Sequence, residues 1–133
     1  MDGVASVWHS WRIALHGPVV VDVHSEPQPD LALLSWREDF YVKSHPQRQD
    51  VLLLVEIAAT TLQYDRDTKI SLYAKAGVLE VWPIDVNGKH LDVYRQPEDG
   101  RYTSQQRPKD LRCLRVEALP EVTFDLSMIF DDI

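Results

Sequence analysis

The sequence predicts an α/β fold with a mixed central sheet flanked by helices and a hairpin-rich C-terminal half. Three observations carry that reading. The run Val51-Leu52-Leu53-Leu54-Val55-Glu56-Ile57-Ala58 is long and almost wholly apolar, as a strand buried on both faces must be. A helical pattern follows it, with Ile70, Tyr73, Ala74 and Gly77 at the i, i+3, i+4, i+7 spacing. Short strand-like segments separated by turn signals then fill the rest of the chain.

Taken in order, residues 1–17 fit one helix or one strand, with apolar Val7, Trp8, Trp11, Ile13 and Leu15. Gly17-Pro18 ends it. Val19–Val23 and Asp30–Leu34 read as strands around a polar loop, His24–Pro29. Residues 36–50 read as a connection with one helical turn, and Val51–Ala58 as the central strand. A helix is predicted from Asp65 to Ala76, with Gly77 as its stop.

Val78–Val86 reads as a third core strand. Its Pro83 lacks a ladder donor and predicts a bulge or a partly exposed edge. Asn87-Gly88 predicts a two-residue hairpin turn into a strand over His90–Tyr94. Pro97–Gly100 predicts another turn. Strands follow over Arg101–Gln106 and Leu111–Val116, and a short helix over Asp125–Phe130.

A chain of 133 residues suits one domain, placed here over 1–133. An apolar fraction of 44% and a charged fraction of 26% are those of a globular protein. No run approaches the roughly 18 apolar residues of a membrane helix, and no basic leader precedes an apolar core. A single cysteine, Cys113, read as a core residue, sets a cytoplasmic expectation. The net charge of −7 argues against a passive nucleic-acid coat protein but not against a metal-dependent nuclease.

Glu56 carries the functional argument. A lone carboxylate inside a buried strand costs several kcal/mol unless a metal, a proton or a cation compensates. Asp30 opens the other apolar run, Asp30-Leu31-Ala32-Leu33-Leu34. Thirteen positions separate Glu56 from Lys69, room for a strand end, a loop and a helical turn. Asp65 and Lys69 share a helix face at i, i+4. Asp30 and Glu56 therefore read as ligands of Mg²⁺ or Mn²⁺, with the backbone carbonyl of Ile57 as a third. Lys69 reads as the group that assists the attacking water, and Asp65 as its support.

The bland alternatives are concrete. Asp30 after Pro29 suits a turn, Glu56 suits a structural ion pair, and Asp65 with Lys69 suits a surface pair of about 0.3–0.5 kcal/mol. Asp67 points to solvent on the helix phase, and the tryptophans read as core or interface.

Pro29-Asp30, Val55-Glu56-Ile57 and Tyr64-Asp65-Arg66-Asp67-Thr68-Lys69 together resemble the PD-(D/E)xK nuclease superfamily, and more closely its Uma-two branch of restriction endonucleases. Leu72–Trp82 and Val93-Tyr94-Arg95 extend the likeness over roughly residues 20 to 130, with residues 1–18 the poorly matched part. The superfamily's usual lysine, two residues after the acid, is Ala58 here. The Uma-two branch resembles this chain in offering a helix lysine instead, Lys69. The resemblance implies a restriction-endonuclease-like fold and a Mg²⁺- or Mn²⁺-dependent endonuclease acting on DNA. A second reading is a shortened, inactive relative serving as a dimeric interaction module. A homodimer is expected in either case.

Overall fold

The computed structural model describes residues 11–15, 31–35, 47–58 and 63–131, with the backbone alone for 11–15, 58 and 63–66. The elements are β1 (Trp11–Leu15), β2 (Leu31–Ser35), a 3-10 turn (Arg48–Asp50), β3 (Val51–Ala58), α1 (Gln63–Ala76), β4 (Glu80–Asp85), β5 (His90–Leu91), β6 (Val93–Glu98), β7 (Arg101–Gln106), β8 (Leu114–Val116) and β9 (Leu119–Phe124). The expected strand over 19–23 lies outside the described residues. Of residues 1–17, the described stretch Trp11–Leu15 is strand β1.

The main sheet runs β1-β2-β3-β4-β6-β7, with β5 also paired to β4, and β8–β9 form a separate ribbon. It is mixed: β3 and β4 are parallel, and the other pairs are antiparallel. The parallel pair follows from α1, because a parallel return needs a crossover long enough to hold a helix.

Two apolar layers enclose the sheet. On one face Ala32, Leu34, Val51, Leu54, Val78 and Val81 pack with Tyr73 of α1. On the other, Leu33, Leu53, Val55, Trp82 and Ile84 pack under Leu114, Val116, Leu119 and Val122 of the ribbon. The Trp82 and Phe124 rings meet edge to face there, at 6.1 Å and 89°. Each layer removes a full set of aliphatic side chains from water, at about 25 cal/mol per Å².

A bulge sets the phase of β3. Leu33 pairs with Leu53 but Leu34 with Val51, so Leu52 has no residue opposite it. Beyond the bulge Leu54 faces the helix and Val55 the ribbon. Two residues past Leu54, alternation puts Glu56 on the helix face.

Helix α1 ends as predicted. Gly77 has φ +79, its N–H bonds Ala74 O at 3.0 Å, and Val78 N–H bonds Tyr73 O at 3.0 Å. That pair of bonds is a Schellman cap, with Val78 and Tyr73 in apolar contact across it. A Cβ at Gly77 would meet no atom within 4 Å. Gly77→Ala is therefore expected to cost only the left-handed backbone penalty, about 1 kcal/mol, measured by urea unfolding.

Several expectations need correction. Pro83 is not at an exposed edge: every residue of β4 is buried. The irregularity lies in its neighbour, where Asp92 separates β5 from β6 and donates its N–H to Pro83 O at 3.0 Å. A residue's N–H and C=O point to the same side of a strand, so the donor that Pro83 lacks falls at this break in the ladder.

The Asn87-Gly88 turn is longer than two residues. Asp85 pairs with His90, leaving Val86–Lys89 as a four-residue loop whose left-handed residue is Lys89 at φ 56. The tight two-residue turn is instead Asp99-Gly100, with φ 53 and φ 77 as a type I′ hairpin requires. Pro97, expected in that turn, sits in β6 opposite Tyr102. Leu111–Val116 shortens to β8, and β9 had no counterpart in the sequence reading. Asp125–Phe130 forms turns rather than a helix, and Cys113 is exposed rather than in the core.

Tyr102 ties β7 to the helix cap. Its hydroxyl donates to Val78 O at 2.7 Å, and burial pushes its phenol pKa up. Tyr102→Phe is expected to lower stability by about 1 kcal/mol by removing that donor from a buried carbonyl. Thermal unfolding of the two proteins measures the loss.

Candidate active site

The C-terminal ends of the parallel strands β3 and β4 lie at one end of the sheet, where open α/β sheets place their ligands. Glu56 sits there, paired with Pro83, and keeps only 12% of its side-chain exposure. Helix α1 crosses this face and delivers two groups to it. Lys69 brings Nζ to 3.5 Å from Oε2 of Glu56. One turn later, Tyr73, wholly buried, donates its hydroxyl to Oε1. The helix spacing i, i+4 makes this possible, since Lys69 and Tyr73 stack on one face.

The predicted meeting of Glu56 and Lys69 is thus present: the lysine of the helix reaches the acid of the strand. Lys69 is 48% exposed at its side chain, so the ammonium approaches the carboxylate from the solvent side. Ile57, assigned a backbone carbonyl, follows in β3 opposite Ile84, with its side chain 48% exposed. Asp67 is exposed, as its helix phase required. Asp65 belongs to the backbone of α1, with its side chain outside the described residues, and Asp30 lies outside them altogether.

Tyr73 is the site residue that sequence reasoning missed. It holds an apolar position of the helix pattern, and its ring packs in the core. The readable signal was its place four residues after Lys69.

A second polar group occupies the neighbouring strand end. Gly88 N–H donates to Asp85 Oδ1 at 2.8 Å, and His90 Nε2 lies 3.4 Å from Asp85 Oδ2. On its other side His90 Nδ1 is 3.9 Å from Asp92 Oδ1, too long for a hydrogen bond. Asp92 is held by Arg107 through two bonds, at 2.7 and 3.2 Å. Gly88 leaves room for this pair: a Cβ there would come within 2.9 Å of both Asp85 Oδ2 and His90 Cδ2, so a larger residue displaces those side chains.

Glu80 is a carboxylate of another kind. It is fully buried and accepts from Trp82 Nε1 at 2.7 Å, Arg95 Nε at 2.8 Å and the Glu117 N–H at 2.9 Å. It joins the sheet to the loop between β8 and β9, away from the helix.

A mixed sheet with a carboxylate at the end of a parallel strand and a lysine over it from the crossover helix defines a protein of the restriction-endonuclease-like class. The chain belongs to the Uma2 family, described as "Putative restriction endonuclease", which it matches over residues 4–128. Among solved structures it is similar to one described as a "putative nuclease belonging to DUF820" from Anabaena variabilis. The TM-score is 0.68 at 16% identity, over 98% of this chain and 73% of that one. No curated protein matches the sequence. Among the described residues no helix is long and apolar enough to cross a membrane.

Proposed function

We propose that the protein is a Mg²⁺- or Mn²⁺-dependent endonuclease that hydrolyses phosphodiester bonds of DNA. The observation behind this reading is the near-buried Glu56 with Lys69 at 3.5 Å, toward the C-terminal end of the parallel strand β3. Glu56 is a hard oxygen donor of the type these cations take. Among the described residues no three His, Cys, Asp or Glu side chains gather into a metal-binding group. Mg²⁺ does not need one, since it takes one or two carboxylates and keeps its waters. Asp30 is assigned the second carboxylate. Leu31 pairs with Val55 across β2 and β3, and each is joined in the chain to one of the two acids. Ile57 supplies a backbone carbonyl.

Glu56 and Asp30 would hold a divalent cation, which would supply charge to polarise a phosphate oxygen and ease ionisation of a water. Lys69 neutralises charge growing on the phosphate and orients the attacking water. Asp65, four residues before Lys69, supports the ammonium from the same helix face. With a net charge of −7, the protein meets DNA through local cations rather than through its overall field.

Supercoiled plasmid incubated with Mg²⁺, Mn²⁺ or a chelator tests the reading. Nicking that requires the metal is expected. Lys69→Met is expected to slow it by roughly 10²-fold or more, the cost of one lost charge-stabilising donor. Cleavage that ignores both the chelator and the substitution rejects the assignment.

The acidic surface supports a second reading, a nuclease-fold interaction module without activity. Calorimetric titration with Mn²⁺ separates the two, since only the enzyme binds the ion through Glu56. A homodimer accompanies either reading: β7 ends the described sheet, and such an edge offers unpaired backbone groups to a second copy. Light scattering is expected to give twice the 15.3 kDa chain mass.

A further inference from the structure

We propose that Tyr73 is the positioning residue of the site: its hydroxyl fixes the Glu56 carboxylate in the orientation that receives the metal. This inference rests on the metal-dependent reading above and adds a residue to it.

Tyr73 is 0% exposed, in one cluster with Val51, Leu54, Val78 and Val81. Phenylalanine would fill the same space without bringing a hydroxyl into an apolar layer. A buried hydroxyl costs free energy unless it has a partner. Here the partner is Oε1 of Glu56, seventeen residues earlier in the chain.

The two helix donors differ in stiffness. Lys69 reaches Oε2 on a flexible four-carbon stem that is half in water. Tyr73 has two side-chain torsions, a ring locked in the core, and a backbone carbonyl bound by Val78 N–H in the Schellman cap. The ammonium supplies charge and the phenol supplies direction. Tyr73 therefore sets the plane in which the carboxylate faces a cation. Hydrogen bonds of this kind to a metal-binding carboxylate are worth about 10- to 100-fold in metal affinity.

The test uses the full chain and Mn²⁺ alone as the probe, titrated by calorimetry into wild type, Y73F, E56Q and Y102F. Tyr102 lends the control, because Y102F also removes a buried hydroxyl beside the same apolar cluster but does so at Val78 O, not at Glu56. Wild type and Y102F are expected to bind Mn²⁺ equally. Y73F is expected to bind about tenfold more weakly, and E56Q to show no site-dependent signal. Y73F binding like wild type while E56Q loses the signal overturns the role of Tyr73 and leaves the metal reading standing. Equal weakening in Y73F and Y102F also overturns it, since a packing defect moves both. Absence of binding by wild type removes the metal reading and this inference together.

If Y73F does not fold, the near-ultraviolet absorption of wild type supplies the answer. Its tyrosine bands are expected to shift on Mn²⁺ addition, with no shift in E56Q. A wild-type spectrum unchanged at saturating Mn²⁺ overturns the proposal.

Discussion

Glu56→Gln is expected to reduce metal-dependent plasmid cleavage by roughly 10³-fold or more while the protein still melts cooperatively near the wild-type temperature. The loss follows from chemistry. A metal ion contributes several kcal/mol to charge stabilisation in phosphoryl transfer. About 4 kcal/mol in the barrier corresponds to about a thousandfold in rate. Glutamine keeps the volume of the side chain and an oxygen for the Tyr73 hydroxyl, but removes the charge proposed to bind the cation. It also removes the partner of the Lys69 ammonium. That lysine is half exposed and returns to water at little cost, because exposed pairs contribute only about 0–1 kcal/mol. Activity and stability should therefore separate. A structural ion pair predicts the reverse: a lower melting temperature, with cleavage unaffected in whatever folds. Plasmid nicking and thermal unfolding on the same preparations decide between them.

Glu56 was legible because one charge interrupts an apolar strand, and an interruption of that kind needs a cause. The same logic passes over Glu80, which stands in Leu79-Glu80-Val81-Trp82 and is more deeply buried. Its cause lies 15 and 37 residues away, at Arg95 and at the Glu117 backbone, where no local pattern reaches. Tyr73 escaped for a related reason. Its ring satisfies the helix periodicity, so the periodicity says nothing about its hydroxyl.

Central strand and helix were readable because burial on both faces leaves a nearly unbroken apolar run in β3, and packing of one face leaves apolar residues at helical spacing in α1. The hairpins were less so. Asn-Gly and Asp-Gly both suit a type I′ turn, and only pairing decides between them. Asp85 meets His90 across four residues, whereas Glu98 meets Arg101 across two. The ribbon strand β9 escaped because only Leu119 and Val122 of its six residues are buried, three positions apart, which is no strand period.

Arg95→Met is expected to be the most destabilising of these substitutions, by about 3–5 kcal/mol. Glu80 has no exposed surface, so its charge cannot be solvated when the guanidinium is removed. Trp82 Nε1 and the Glu117 N–H would remain as donors, and neither carries charge. Arg95 also donates to the carbonyl of Arg115 and lies 3.5 Å from Glu117 Oε2, so it binds the ribbon to the sheet as well as neutralising Glu80. For a domain of this size the loss corresponds to roughly 10 °C or more in Tm. The double substitution Glu80→Gln with Arg95→Met separates charge from packing. Removing both members of a buried pair avoids the stranded charge, so the double variant is expected to melt above Arg95→Met alone. Thermal and urea unfolding of the single and double variants give the coupling. A double variant no more stable than Arg95→Met would mean that Arg95 acts through its contacts with Arg115 and Glu117, and that Glu80 tolerates its burial without the guanidinium.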